Sequence, residues 1–324
     1  MTHFRFFVGL ILAGASLHAA DRPTVGMLVK VNSTEGFWGD VIQGAQAAAD
    51  DAGVDLVVRG VRSVTNPGAQ IKLLESFANQ KIDALVITPT NAERLVAPLN
   101  AAAAQGLKIV VAESELAAAN PFPYVGYDQS ELGTAAATAF AGLLGAQDEV
   151  AIFRGASDQT IVYRDKFIIA RLKELRPAIR LHLDVFAVTN DLSTTEEKAG
   201  LLFQKYPASR LFIGTASGAT RSMLTAAKTV PGIGPVKIAG LGFSLTPDLV
   251  EAIENGTLEL LLCQMPRDLG YKSVATAAAL IRGEKVPAKT NLSFVVVTRD
   301  NLNTPAVQAL KPKPAVAKGA GAQP

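Results

Sequence analysis

From Thr24 onward, short continuous apolar runs alternate with segments of helical period, and the alternation runs through twice. The first set is "TVGMLVK" (24–30), "VDLVVR" (54–59), "DALVIT" (83–88) and "LKIVVA" (107–112). Between the first two, Val41, Ile42, Ala45, Ala48 and Ala49 recur at spacings of three and four, which is one face of a helix. The second set is "EVAIFRG" (149–155), "LHLDVFAV" (181–188), "RLFIGTA" (210–216), "VKIAGLG" (236–242) and "LELLLCQ" (258–264). A strand that is apolar without alternation is buried on both faces, the condition of a parallel sheet sandwiched between helices. The pattern predicts an α/β protein of two similar halves, and no Pro/Ser linker separates them.

Size and charge agree with this. A chain of 324 residues, 49% hydrophobic and 19% charged, can bury a large core and by length holds about two domains. The net charge of +2, without a basic cluster interleaved with aromatics, argues against a nucleic-acid partner. The N-terminus "MTHFRFFVGLILAGASLHAA" has Arg5, an apolar stretch over 6–15 and a small-residue end at Ala19-Ala20. It reads as a secretory signal peptide over 1–20, cleaved after Ala19 or Ala20, and its apolar run is too short to span a bilayer. The mature protein is expected in the periplasm. Cys263 is the only cysteine, so neither an internal disulfide nor a lipid-bearing Cys after the leader is possible, and "LELLLCQM" makes it an inert buried strand residue. The segment "KPKPAVAKGAGAQP" (311–324) has too little bulk to pack and is expected to be a disordered tail.

Catalytic constellations are thin. There is no GxSxG, HExxH, CxxC or Walker loop, and of the three histidines (His3, His18, His182) two belong to the leader. "PGIGP" (231–235) is a turn between prolines, not a phosphate cradle. "FRGASDQT" (153–160) follows a strand, so its Ser and Asp can face a ligand, but it lacks the glycines of a dinucleotide fingerprint. No enzyme activity, cofactor or metal is expected. In open α/β sheets ligands sit beyond the carboxyl ends of the strands, and Phe37 and Trp38, the latter the only Trp, stand at such an end. They either pack under a loop or wall a ligand site; the notable point is their place just before the first helix.

Several stretches carry a family resemblance. After the leader, first strand and aromatic pair come "GAQAAADDAGVDLVV" and "Q…LLESFANQKIDALVITPTNAERLVAPLNAAAAQGLKIVV" (70–111). "YPASRLFIGTASGATRSMLTAAK" and "LVEAIENGTLELLLCQMPRDLGYKSVATAAALIRGEKV" follow. Together they resemble the type I periplasmic binding proteins, in the ribose- and galactose-binding, LacI-like group of ABC-importer substrate-binding proteins. The resemblance implies two Rossmann-like lobes with parallel sheets, joined by three hinge crossings near Asp128, Met265 and Asn291. It implies an N-terminal lobe of 21–127 plus 266–291 and a C-terminal lobe of 128–265 plus 292–310, closing on a ligand. Phe37 and Trp38 match the family's sugar-stacking pair. Arg164 matches the arginine of its R-x-x-G-F pattern, although "DKFI" follows here, and Gln264 matches its cleft glutamine. The departures are Glu35 where sugar binders often carry Asn, Glu113-Ser114 in place of Asp-Arg with Glu115 beyond, and Ala216-Ser217 in place of Asn-Asp. Gly242-Phe243 replaces a cleft Asp, and Asn190 and Asp191 lie near the second-lobe aromatic position.

The "GTA" segment, the aromatic pair and the "QM" step also resemble the TorT-type periplasmic sensors, which hand a trimethylamine-N-oxide signal to a membrane histidine kinase. That resemblance implies an aromatic cage of Phe37, Trp38, Tyr127 and Phe243 around a methylated amine. The leading expectation is a solute-binding protein delivering a sugar or sugar-like molecule to an ABC permease, with the sensor as alternative. Glu35 and Glu113 accept hydrogen bonds but donate none when ionised, which favours a neutral polyol or sugar, or a cationic head group, over an anion.

Overall fold

The computed structural model describes residues 22–61, 66–116, 121–155, 158–186 and 192–311. The leader expected over 1–20 and the tail from 312 onward lie outside the described residues, as do Asn190 and Asp191.

Two six-stranded sheets carry the architecture. The first contains β1 (Thr24–Val29), β2 (Asp55–Gly60), β3 (Ala84–Ile87), β4 (Lys108–Ala112) and β5 (Tyr124–Gly126). Helices α1 (Gly36–Ala52), α2 (Pro67–Asn79) and α3 (Val96–Ala104) connect them. The chain then builds α4 (Gln129–Ala141), β6 (Glu149–Gly155), α5 (Gln159–Leu175), β7 (Arg180–Phe186), α6 (Leu192–Lys205), β8 (Leu211–Gly214) and α7 (Ser217–Thr229). It continues with β9 (Ile238–Phe243), α8 (Pro247–Glu254) and β10 (Leu258–Gln264). The last elements are α9 (Pro266–Ile281), β11 (Lys289–Asn291), β12 (Val295–Val297) and α10 (Pro305–Gln308).

The strand orders are β11-β5-β4-β3-β1-β2 and β12-β10-β9-β8-β6-β7, the same winding used twice. Pairing is parallel except for β12, which runs antiparallel to β10. The chain passes between sheets three times: after β5, after β10, and between β11 and β12. Each of the nine apolar runs read from sequence forms a strand. The pattern missed β5, β11 and β12 because three residues each are too short to carry a period, and they lie where the chain changes sheets. Phe37 and Trp38 lie within the first turn of α1, not ahead of it.

Three apolar clusters form the core. One packs α2 and α3 on the first sheet, through Leu74, Phe77 and Leu99. Another packs α7 and α8 on the second, through Met223, Leu249 and Cys263. Burial pushes the Cys263 thiol up to about 12, so it behaves as an apolar residue. The largest cluster joins the α1–α9 face of the first sheet to the α4–α5 face of the second through Tyr127, Leu132 and Leu292. The core is therefore continuous through the connections.

Helices α1 and α9 pack without side chains between them at two points. A Cβ added to Gly270 would stand 1.8 Å from the Val41 carbonyl oxygen, and one added to Gly44 would stand 2.0 Å from that of Arg267. Both obstacles are backbone, so the helices themselves must separate. Gly270→Ala should therefore lower stability by about 1–3 kcal/mol, the range for overpacking, and reduce the urea midpoint without changing the m-value. Gly218→Ala, with nothing within 4 Å of the added methyl, is the neutral control. Equal midpoints for the two variants would contradict this packing.

Candidate functional site

The carboxyl ends of the two sheets meet, and a buried charge network joins them. Lys30 follows the last residue of β1 and is 3% exposed. Its Nζ lies 2.9 Å from Glu113 Oε2, after β4, and 2.9 Å from Asp158 Oδ2, at the start of α5 on the other sheet. It also donates to Thr160 Oγ1 at 3.2 Å. Ser114 Oγ donates to Glu113 Oε2 and lies 2.6 Å from Thr160 Oγ1.

Local sequence explains the placement. Asp158 is the N-cap of α5: its Oδ1 accepts from the Thr160 and Ile161 amides at 2.8 and 3.2 Å, leaving Oδ2 for Lys30. Glu113 has φ +63°, a left-handed conformation that costs a non-glycine residue free energy. Tyr124 holds that turn, its hydroxyl 2.9 Å from the Glu113 carbonyl oxygen and 3.1 Å from that of Tyr127. Burial opposes the Lys30 charge, but the carboxylates of Asp158 and Glu113 outweigh it and raise its pKa above 10.5. Burial likewise opposes the Asp158 charge, and Lys30 with the helix amides lowers its pKa below 3.8. Asp158 therefore loses its contribution as pH falls through its lowered range, and Lys30 loses its own as pH rises through its raised one.

Other contacts cross between the halves. Ser244, another of the three non-glycine residues with positive φ among those described, hydrogen-bonds Asp40 Oδ2 in α1. Arg267 Nε orients that carboxylate from 3.2 Å. The Phe37 ring meets Phe243 edge-on at 5.6 Å and Trp38 at 5.2 Å. The Ala92 amide donates to Gln159 Oε1 at 3.1 Å.

A second buried cluster lies behind the network on the second sheet. The helical period of α5 buries Thr160, Arg164 and Ile168 on one face. Arg164 Nη1 donates to Gln129 Oε1 at 3.1 Å and Nη2 to the Thr215 carbonyl at 2.6 Å. Burial lowers the Arg164 pKa against the pull of Asp165, Glu113 and Asp158. Among the described residues, the buried atoms of this cluster without a hydrogen-bond partner include Arg164 Nε, Gln129 Nε2, Thr215 Oγ1 and both carboxylate oxygens of Asp165. Burial raises the Asp165 carboxyl to about 6, against the opposing charges of Arg164 and of Arg154, whose Nε stands 3.4 Å away.

Of the residues singled out from sequence, the structure brings Phe37, Trp38 and Phe243 together, and Glu113 and Ser114. Tyr127 is in the core near the crossings, its hydroxyl accepting from the Met265 amide at 2.5 Å. Glu35 is exposed at the start of α1 and makes no side-chain cap bond. Ser217 opens α7 and Gln264 ends β10, both half-buried at carboxyl ends of the second sheet. Sequence reasoning missed Lys30 and Thr160 as cleft residues and Asp158 as a partner of Lys30. The available signal was a lone cation closing an otherwise apolar strand. Among the described residues no group of His, Cys, Asp and Glu is arranged to hold a metal ion.

Known proteins give the comparison. The family described as "Periplasmic binding protein domain" matches residues 25–285. The ribose import binding protein RbsB of Escherichia coli is 24% identical over 298 residues, covering 89% of this chain and 94% of that protein. Its Haemophilus influenzae counterpart is 26% identical over 300 residues, covering 89% and 96%. A carbohydrate transporter solute-binding protein from Agrobacterium radiobacter, solved with D-arabinose, shares the fold with a TM-score of 0.79 at 24% identity, over 90% of this chain and 99% of that one.

The buried Asp165 carboxyl generates a pH prediction. Its folded pKa of about 6 lies above the ordinary 3.8, so its contribution is fully present below 3.8 and is lost as pH rises to about 6. That loss amounts to roughly 3 kcal/mol at most. Asp165→Asn should flatten this part of the stability profile, read from urea unfolding across the acid range. An unchanged slope in the variant would assign the titration to another group.

Proposed function

This chain belongs to the periplasmic binding protein domain family, and from that premise we propose that it captures a neutral sugar or sugar-like polyol between its lobes and delivers it to the permease of an ABC importer. The observation that carries the reading is the meeting of the two sheets' carboxyl ends over polar side chains supplied by both, from Lys30 and Glu113 on one side and Asp158 and Thr160 on the other. Ligands of open α/β sheets bind at such ends, and hinge closure between two lobes is the motion that encloses them. In this reading the lobes are 21–127 plus 266–291 and 128–265 plus 292–310, and the leader over 1–20 is removed on export to the periplasm. Phe37, Trp38 and Phe243 supply the apolar wall for a sugar ring. The polar contacts fall to Glu113, Ser114, Arg164, Ser217 and Gln264, with Glu35 at the rim. The unpartnered donors and acceptors around Arg164 and Asp165 favour ordered water or a ligand that offers both, as hydroxyl groups do.

The relatives support the ligand class. RbsB is by name a ribose import protein, and the Agrobacterium radiobacter protein was solved with D-arabinose. The sensor alternative and its methylated amine gain nothing from these proteins, which are import or transport components by name.

Trp38, the only tryptophan, makes the test direct. Titration with pentoses, hexoses, polyols, methylated amines and sugar phosphates should show saturable binding of one neutral class, with a change in Trp38 emission and ligand recovered unchanged. Trp38→Ala, followed by calorimetric titration because no tryptophan remains to report, should weaken that binding by at least about 0.5–1.5 kcal/mol, the range for aromatic contacts beyond area alone. Recovery of a converted product, or selective binding of methylated amines, would overturn the reading.

A further inference from the structure

The sequence presents Glu113 as an anion free to meet a ligand, but in the folded protein a cation of the chain itself already holds it. An ammonium has three N–H donors and no acceptor. All three of Lys30 have partners: Glu113 Oε2 and Asp158 Oδ2 at 2.9 Å each, and Thr160 Oγ1 at 3.2 Å. The two carboxylates come from different sheets, and their side chains are only 11% and 10% exposed. Their remaining hydrogen bonds are local: Ser114 Oγ on Glu113, and the α5 amides on Asp158. The nearby cations are engaged elsewhere, Arg164 with Gln129 and Thr215, and Arg154 with Asp165.

We propose that Lys30 is a specificity-determining residue: its ammonium fills, as a tethered cation, the one position between Glu113 and Asp158 that a ligand amine would take. The proposal rests on the cleft being the ligand site. A protonated amine entering there must displace Lys30 and strand its charge in a buried setting, which is strongly unfavourable. A hydroxylated neutral ligand need not. The cleft therefore rejects cations for a reason separate from the shape of its aromatic wall, and Lys30→Ala converts it into an acceptor of small primary ammonium ions. Quaternary ammonium ions are not accepted, because they carry no N–H to give the carboxylates.

The experiment is rescue by an exogenous amine on the full mature chain. Thermal unfolding of wild type and Lys30→Ala is followed against n-propylammonium chloride, with tetramethylammonium chloride and sodium chloride at equal ionic strength as controls. The variant should unfold at lower temperature and regain stability saturably with n-propylammonium alone, while wild type responds equally to all three salts. If Lys30→Ala does not fold, the same titration is made on Lys30→Ala with Asp158→Asn, which keeps a capping side chain and relieves one buried charge. There n-propylammonium should still stabilise saturably, through Glu113, while tetramethylammonium and sodium do not. Absence of a saturable, N–H-dependent response in the folded variant, or an equal response in wild type, overturns the proposal. A parallel titration with the sugar panel reads the sugar-binding function separately: failure of every sugar on wild type removes that function and leaves the amine result to judge the role of Lys30.

Discussion

A buried ammonium held between carboxylates from two different sheets is the interaction around which the two halves are arranged. Desolvating these ions costs several kcal/mol each, and the mutual attraction recovers it only when geometry is good and the remaining lone pairs are satisfied. Lys30, Glu113 and Asp158 meet both conditions, through two contacts of 2.9 Å, the bond Lys30 donates to Thr160 Oγ1, and hydrogen bonds from Ser114 and the α5 amides. Such a cluster adds little net stability over an apolar contact of the same size. Its effect is geometric, because a displacement that breaks one contact leaves a buried charge uncompensated. It therefore selects one arrangement of the sheets.

The rest of the molecule makes that arrangement reachable. The largest core cluster runs through Tyr127 and Leu292 at the sheet changes, so the connections are packed rather than loose. Direct helix contact at Gly44 and Gly270 braces α9, which returns from the second sheet, against α1, which carries Phe37, Trp38 and Asp40. Asp40 then reaches Ser244 on the second half, and Phe37 reaches Phe243. Local strain is placed at the same seam: Glu113 and Ser244 both have positive φ, Ser244 contacts Asp40 across it, and Glu113 holds the Lys30 ammonium that reaches Asp158 on the other side. Strained residues persist where surrounding bonds over-determine them, and Tyr124 and Asp40 supply those bonds here.

Two kinds of information were unequally legible in the amino-acid order. Strands such as 258–264 announce themselves because burial on both faces demands an unbroken apolar run, a local property. The same holds for the period of α1 and for the Asp158 cap, whose partners lie two and three residues ahead. The three-residue strands β5, β11 and β12 were not legible, since their existence depends on partners from distant segments and not on any pattern of their own. Arg164 shows the limit for single residues. Its helical spacing places it on the buried face of α5, yet its partners Gln129 and Thr215 arrive from α4 and the end of β8.

By itself, the sequence determined that this chain is a doubly repeated α/β protein, that its aromatic pair stands at a strand's carboxyl end, and that histidine- or cysteine-based chemistry is poorly provided for. These conclusions follow from periodicity and composition, which act over neighbouring residues. Only the tertiary structure decided which charges face one another. Lys30 and Asp158 are 128 positions apart, and nothing in either neighbourhood marks them as a pair. Coulomb attraction depends on distance in space and on the water excluded between the ions, and both are settled only when the two sheets come together.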